Sequence, residues 1–216
     1  LAGYESTLPV TLEQMMYHAR ATRAGVKRAL LFVDMPFLTY QVSPQRALLN
    51  CGRVMAEGGA DGVKLEGASD SVLAAVRAVV DAGIPVMGHL GFTPQSVNTL
   101  GGARVQARDA AGAKKIVDDA KRLEDAGAFS IVLELLPAKV AARVTEAVRI
   151  PTIGIGAGAA CSGQVLVLHD LLGLNDGFNP KFLKRYAAMA AEVREAISRF
   201  GDEVRAGSYP DDDHSF

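Results

Sequence analysis

A chain of 216 residues, 49% hydrophobic and 22% charged, has enough apolar material for one large domain with its own core. A formal charge of -1, with both signs interleaved, leaves no basic stripe for neutralising nucleic-acid phosphates. Cys51 and Cys161 form no Cys-x-x-Cys pair, and no apolar run approaches the ~18 residues of a membrane span. A disulfide framework, a zinc site and a membrane anchor are therefore not expected, and a reducing cytoplasm is.

In chain order, a loop-like lead from Gly3 to Pro9 gives way to Thr11 and Gln14, spaced as a capping box at the start of a helix. The apolar run 29–34 reads as the first strand and ends in Asp34. Ser43 before Pro44 starts the next helix. Strand 62–66 ends in Glu66, strand 86–90 carries His89, and strand 129–134 ends in Glu134. Strand 152–155 runs into the glycine-rich segment Gly154 to Gly158, and a sixth strand, 165–169, ends in His169. Gly25, Gly58, Gly83 and Gly127 each follow an apolar helical stretch, where a left-handed cap is expected.

Asn179-Pro180 opens a last helix, about 180–200, with Phe182, Leu183, Tyr186, Met189, Val193, Ile197 and Phe200 near one face. That stripe suits either the outer helix of a final βα unit or an oligomer interface. The acidic tail Asp211 to His214 is expected to be solvated, so 180–216 reads as a C-terminal helix and tail.

Repeated β-then-α order implies a parallel sheet, either doubly wound or closed into a barrel. A ring would bring Asp34, Glu66, His89, Glu134 and His169 to one mouth, whereas a flat sheet would spread them out. A (β/α)₈ barrel needs eight strands and about 250 residues. With six strands in 216 residues, about two βα units, on the order of 60 residues at ~30 per unit, are expected upstream of Leu1.

Acids at the ends of buried strands need a cation, a proton or a partner. Asp34 and Glu66 are hard oxygen donors suited to magnesium; alternatively Asp34 caps a turn and Glu66 pairs with a base. Lys64 shares a strand face with Glu66, which allows a substrate contact or a structural ion pair. His89 could ligate a metal, bond a substrate, or sit inert in the core. Glu134 suits a general base, because an apolar surround raises a carboxylate's pKa; it could instead lead a helix. The glycine run could let backbone approach a ligand, and Cys161 reads as a small thiol.

Four segments resemble the ketopantoate hydroxymethyltransferase family: Asp34-Met35-Pro36-Phe37, Val63-Lys64-Leu65-Glu66-Gly67, Gly88-His89-Leu90-Gly91-Phe92-Thr93-Pro94-Gln95-Ser96-Val97, and Ile153-Gly154-Ile155-Gly156-Ala157-Gly158. The likeness runs from Gly3 to the terminal His214-Ser215-Phe216. It implies a (β/α)₈ TIM barrel of the phosphoenolpyruvate/pyruvate superfamily, with about six of the eight units in this chain as a single domain, 1–216. It also implies hydroxymethyl transfer from 5,10-methylenetetrahydrofolate to 3-methyl-2-oxobutanoate through a magnesium-stabilised enolate, giving 2-dehydropantoate.

By motif, Asp34 and Glu66 are then magnesium ligands, Asp34 and Lys64 contact the oxoacid, and Glu134 accepts the proton; His89 is expected beside them as a substrate contact, hydrogen-bonding near the metal or substrate. A homodecamer built from dimers is implied as well. The family's early Gly-Asp-Ser motif would lie upstream of Leu1, and Ser162 stands where the family usually has Asp. A magnesium-dependent oxoacid lyase of the same superfamily, and an inactive barrel fragment serving as a binding module, remain alternatives.

Overall fold

The computed structural model describes residues 3–216, in two compact units, Leu1–Val165 and Leu166–Phe216. The first unit holds a six-stranded, wholly parallel sheet: β1 (Phe32–Asp34), β2 (Gly62–Glu66), β3 (Val86–Gly91), β4 (Ser130–Glu134), β5 (Thr152–Ile155) and β6 (Gly163–Gln164). Spatial order follows chain order, from β1 through β6 without a reversal. A doubly wound sheet requires a point where the order reverses, so this sheet is an arc of a singly wound barrel.

The helices follow from local signals. In α1 (Leu12–Gly25) Thr11 and Gln14 complete the capping box, and Ser43 accepts from the Arg46 amide ahead of Pro44 in α2 (Pro44–Gly58). Both α3 (Asp70–Asp81) and α5 (Ala110–Asp125), which follows the single-turn α4 (Val97–Leu100), are capped by their leading Ser69 and Asp109. Gly83 and Gly127 adopt left-handed φ of 83° and 95° just past those helices, as expected. The other two glycines differ. Gly25 closes α1 and is followed by extended Val26, and Gly59, not Gly58, takes the left-handed cap of α2.

Side chains alternate across the strands, and their two faces divide the labour. Val63, Leu65, Ile131 and Leu133 are fully buried on the face that packs against the helices, with Val54, Val76, Leu123 and Val144 from α2, α3, α5 and α6 (Ala138–Ala147). Gly88 lies on this face because a Cβ there would stand 2.8 Å from Leu123. Lys64, Glu66, His89 and Glu134 project from the opposite face.

The predicted ends hold for β2 and β5, while β1 is shorter, since 29–31 precede it. The expected strand 165–169 is corrected. Its pairing ends at Gly163–Gln164, and His169 lies in the short helix α7 (Leu168–Leu171), because a brief apolar run does not separate strand from helix by periodicity.

In the second unit the long helix is α8 (Met189–Ala206) rather than 180–200. The residues before it form a loop, with Arg185 donating to the carbonyls of Asn175, Asp176 and Phe178, and the Tyr186 and Met189 amides donating to Leu171 and Leu172. Met189, Val193, Ile197 and Phe200 of the expected stripe are exposed, and Val204 extends it. Asp211 caps a 3-10 turn, Asp212–His214, and the tail is exposed as expected. Among the described residues, no helix is long and apolar enough to cross a membrane.

Candidate active site

The parallel register builds the site as a staircase. Asp34 pairs with Lys64, two residues further along β2 Glu66 pairs with His89, and two further along β3 Gly91 pairs with Glu134. Paired residues share a face, so four strands deliver their polar side chains to one rim at the carboxyl ends of the strands. The structure therefore brings together Asp34, Lys64, Glu66, His89 and Glu134. His169 belongs to the other unit.

Lys64 stands at the centre. Its Nζ lies 2.9 Å from Asp34 Oδ1, 3.0 Å from His89 Nδ1 and 4.0 Å from Glu66 Oε1. The ion pair anticipated within β2 is thus the longer one, and the nearer carboxylate comes from the neighbouring strand. An ammonium only donates, so His89 Nδ1 must accept and Nε2 carries the proton. Burial, reinforced by the Lys64 charge, holds the imidazole pKa well below its usual value and keeps the ring neutral. Its Nε2–H faces Glu134 Oε2 at 3.2 Å without hydrogen-bond alignment, leaving a buried donor free to turn to another oxygen.

Glu134 closes β4. Burial pushes its pKa up to about 7, with Lys64 opposing and Asp34 adding to the shift. The apolar surround expected from sequence is therefore present, and the group is poised between acid and base near neutral pH. Leu135 follows at a left-handed φ of 48°, a strained turn that stops the strand immediately after the carboxylate. Gly91 makes the same rim possible. Its φ is +97°, and a Cβ would sit 2.1 Å from the Glu134 carbonyl oxygen, which accepts the Phe92 amide at 2.8 Å. Gly91→Ala is therefore expected to displace Glu134 and destabilise the rim by more than 1 kcal/mol, measured as a lower midpoint of urea unfolding.

Glu66 is nearly enclosed, its side chain 3% exposed, and burial likewise raises its pKa to about 7 against the opposing pull of Lys64. One oxygen, Oε2, accepts the Gln95 amide at 3.0 Å, and Asp34 Oδ1 is buried against the Lys64 ammonium, 2.9 Å away. No group of three or more His, Cys, Asp or Glu side chains among the described residues could hold a metal. Two hard carboxylates that already flank one cation, the Lys64 ammonium, nevertheless fit magnesium, which commonly takes one or two protein carboxylates and leaves other positions to water and substrate.

Sequence reading missed Tyr40 and Gln95, which lie directly behind these acids. Gln95 belongs to the recognisable Thr-Pro-Gln segment after β3, but an uncharged amide in a turn signals no chemistry by itself. The glycine run is used for packing: a Cβ at Gly154 would meet Cys161 Sγ at 3.0 Å, and one at Gly158 would meet Ala138 at 2.5 Å. Ser162 exchanges hydrogen bonds with Thr152, Oγ accepting at 3.2 Å and the amide donating at 3.3 Å, and so clasps β5 to β6. A separate cleft of ≈ 270 Å³ lies between Leu90 and Gly91 of β3 and Lys115, Ile116 and Asp119 of α5; none of the five clustered residues lines it.

Comparison with known proteins places this geometry in a family. A family model described as ketopantoate hydroxymethyltransferase matches residues 1–212. A 3-methyl-2-oxobutanoate hydroxymethyltransferase from Carboxydothermus hydrogenoformans is 53% identical over 99% of this chain and 77% of its own length. One of the same name from Moorella thermoacetica is 55% identical over 99% of this chain and 79% of its own. Among solved structures, a 2,3-dimethylmalate lyase of the PEP mutase/isocitrate lyase superfamily aligns with a TM-score of 0.58 at 14% identity, covering all of this chain and 74% of the other. A phosphoenolpyruvate phosphomutase from Streptomyces platensis aligns with a TM-score of 0.57 at 12% identity, over 92% of this chain and 69% of the other. These two likenesses concern the fold alone, and they agree with a partial (β/α) barrel. From the family match along nearly the whole chain and relatives more than half identical to it, the chain belongs to the ketopantoate hydroxymethyltransferase family of enzymes.

Proposed function

We propose that this chain transfers a hydroxymethyl group from 5,10-methylenetetrahydrofolate to 3-methyl-2-oxobutanoate, giving 2-dehydropantoate and tetrahydrofolate. The observation that carries the reading is one carboxyl group with a pKa near 7, Glu134, beside a neutral imidazole and within a cluster centred on an ammonium. That set suits removal of a proton next to a carbonyl and stabilisation of the charge that results.

Glu134 accepts the C3 proton of the oxoacid as the C–H electron pair moves toward the keto oxygen. Lys64 holds the substrate carboxylate and, with Asp34 beside it, sets the oxoacid's orientation. His89 offers its Nε2–H to an oxygen of the substrate while Lys64 fixes the ring through Nδ1. Asp34 and Glu66 would hold magnesium, which would supply a Lewis acid for the charge on the keto oxygen. Water releases the one-carbon unit as formaldehyde, its oxygen going to the carbon and its hydrogens to the two nitrogens of the departing tetrahydrofolate; C3 then bonds to that carbon, and the resulting alkoxide takes the proton held by Glu134. The same family membership supports a cytoplasmic homodecamer, and a stable monomer in sedimentation velocity would contradict that assembly.

Product analysis tests the reaction. With magnesium, oxoacid and methylenetetrahydrofolate, 2-dehydropantoate is expected to accumulate, and none is expected when the folate is omitted. Cleavage of an oxoacid carbon–carbon bond without folate would instead identify a lyase.

A further inference from the structure

The two candidate metal ligands close different strands and continue into different loops. Gln95, in the 3-10 turn Pro94–Ser96 after β3, reaches both. Its backbone N–H donates to Glu66 Oε2 at 3.0 Å, and its side-chain Nε2 donates to the carbonyl of Met35, the residue after Asp34, at 2.7 Å. Tyr40, 1% exposed, completes the clamp: its hydroxyl donates to Gln95 Oε1 at 3.0 Å and accepts the Glu66 amide at 3.0 Å. Gln41 Nε2 donates to the same Oε1 at 2.9 Å, so bonds at both ends of the Gln95 amide fix its orientation.

Asp34 is held through its backbone as well as through its ion pair. Its Oδ1 faces the Lys64 ammonium at 2.9 Å, and Met35, wholly buried, is held through its amide to the Lys64 carbonyl at 3.0 Å and through its carbonyl to Gln95. We propose that Gln95, locked by Tyr40, is a positioning residue that fixes the spacing of Asp34 and Glu66 and thereby the affinity of this chain for a divalent cation. The inference rests on reading those two acids as metal ligands. Outer partners of this kind orient the ligating oxygens before the ion arrives, and their loss commonly weakens metal binding ~10–100-fold.

The test titrates Mn²⁺ into the full chain and follows free ion by electron paramagnetic resonance. Gln95→Met keeps the side-chain length and removes donor and acceptor; Tyr40→Phe keeps the ring and removes the hydroxyl. Each is expected to raise the Mn²⁺ Kd about 10-fold, and activity lost at low Mg²⁺ is expected to return as Mg²⁺ is raised. Glu66→Gln serves as the control and is expected to abolish tight Mn²⁺ binding. If it binds Mn²⁺ like the wild type, the ligand reading fails and takes this inference with it. If Glu66→Gln loses binding while folded Gln95→Met and Tyr40→Phe keep the wild-type Kd, the positioning role alone is overturned. A purely structural role would lower thermal stability and leave the Kd unchanged. Should Gln95→Met fail to fold, Tyr40→Phe decides the question.

Discussion

Glu134→Gln is expected to lose turnover by ~10²–10⁴-fold, the usual contribution of a positioned general base, while folding more stably at alkaline pH than the wild type. Both effects come from the same burial. A carboxyl group with a folded pKa of about 7, against an ordinary value of 4.5, binds protons more tightly in the native state than in the unfolded one. Its stabilising contribution is complete below 4.5 and is lost as pH rises through 7.

At pH 8 the charged form therefore costs the metal-free fold about 3 kcal/mol, and an amide of the same shape avoids that cost. Thermal melts of the metal-free protein should show wild-type stability declining between pH 5 and pH 8, with a shallower decline in the variant. The pH profile of wild-type kcat/KM should rise with an apparent pKa near 7 and flatten above it. A variant that is neither slower nor more stable at pH 8 would remove Glu134 from the role assigned to it.

Lys64→Met is expected to reduce kcat/KM for the oxoacid by ~30–1,000-fold, corresponding to the ~2–4 kcal/mol lost when one partner of a buried charge pair is removed. Methionine preserves the length of the side chain, so the loss is one of charge. His89 Nδ1 would lose the donor that now stands 3.0 Å away, freeing the ring to change tautomer, and Asp34 and Glu66 would lose their shared cation. The sign on metal binding distinguishes charge loss from collapse: with the ammonium gone, magnesium affinity, read by titration calorimetry, should rise. Lower magnesium affinity together with unchanged oxoacid affinity would show that Lys64 serves the metal site and not the substrate.

The rim acids were legible from sequence because each ends an apolar run, and that pattern survives the modest errors in strand ends. Asp34, Glu66 and Glu134 all fall where their strands stop. Interstrand register was not legible. Lys64 and Glu66 share one strand face and read as a pair, yet the staircase sets Lys64 beside Asp34, and only the register of β1 on β2 determines that. The interior polar layer was equally hidden. Tyr40 and Gln95 come from separate loops, and their importance arises from what they touch, which no local spacing encodes.

Where signals were weak, tertiary context decided. The apolar segment around Val165 to His169 could satisfy strand or helix, and its later part forms α7. Asn179-Pro180 offered a helix start, but the segment is held as a loop by Arg185, and α8 begins at Met189. The glycine run looked open to a ligand, whereas Gly154 and Gly158 are glycines because Cys161 and Ala138 stand against them.

Removal of the C3 proton of the oxoacid by Glu134 is the proposed step on which the other roles at this rim depend. Incubation of 3-methyl-2-oxobutanoate with the chain and Mg²⁺ in deuterated buffer, without folate, isolates that step, and proton NMR reads the C3 signal. The wild type is expected to exchange the C3 proton and Glu134→Gln to leave it in place on the same timescale; exchange by the variant at the wild-type rate would contradict the assignment of the base.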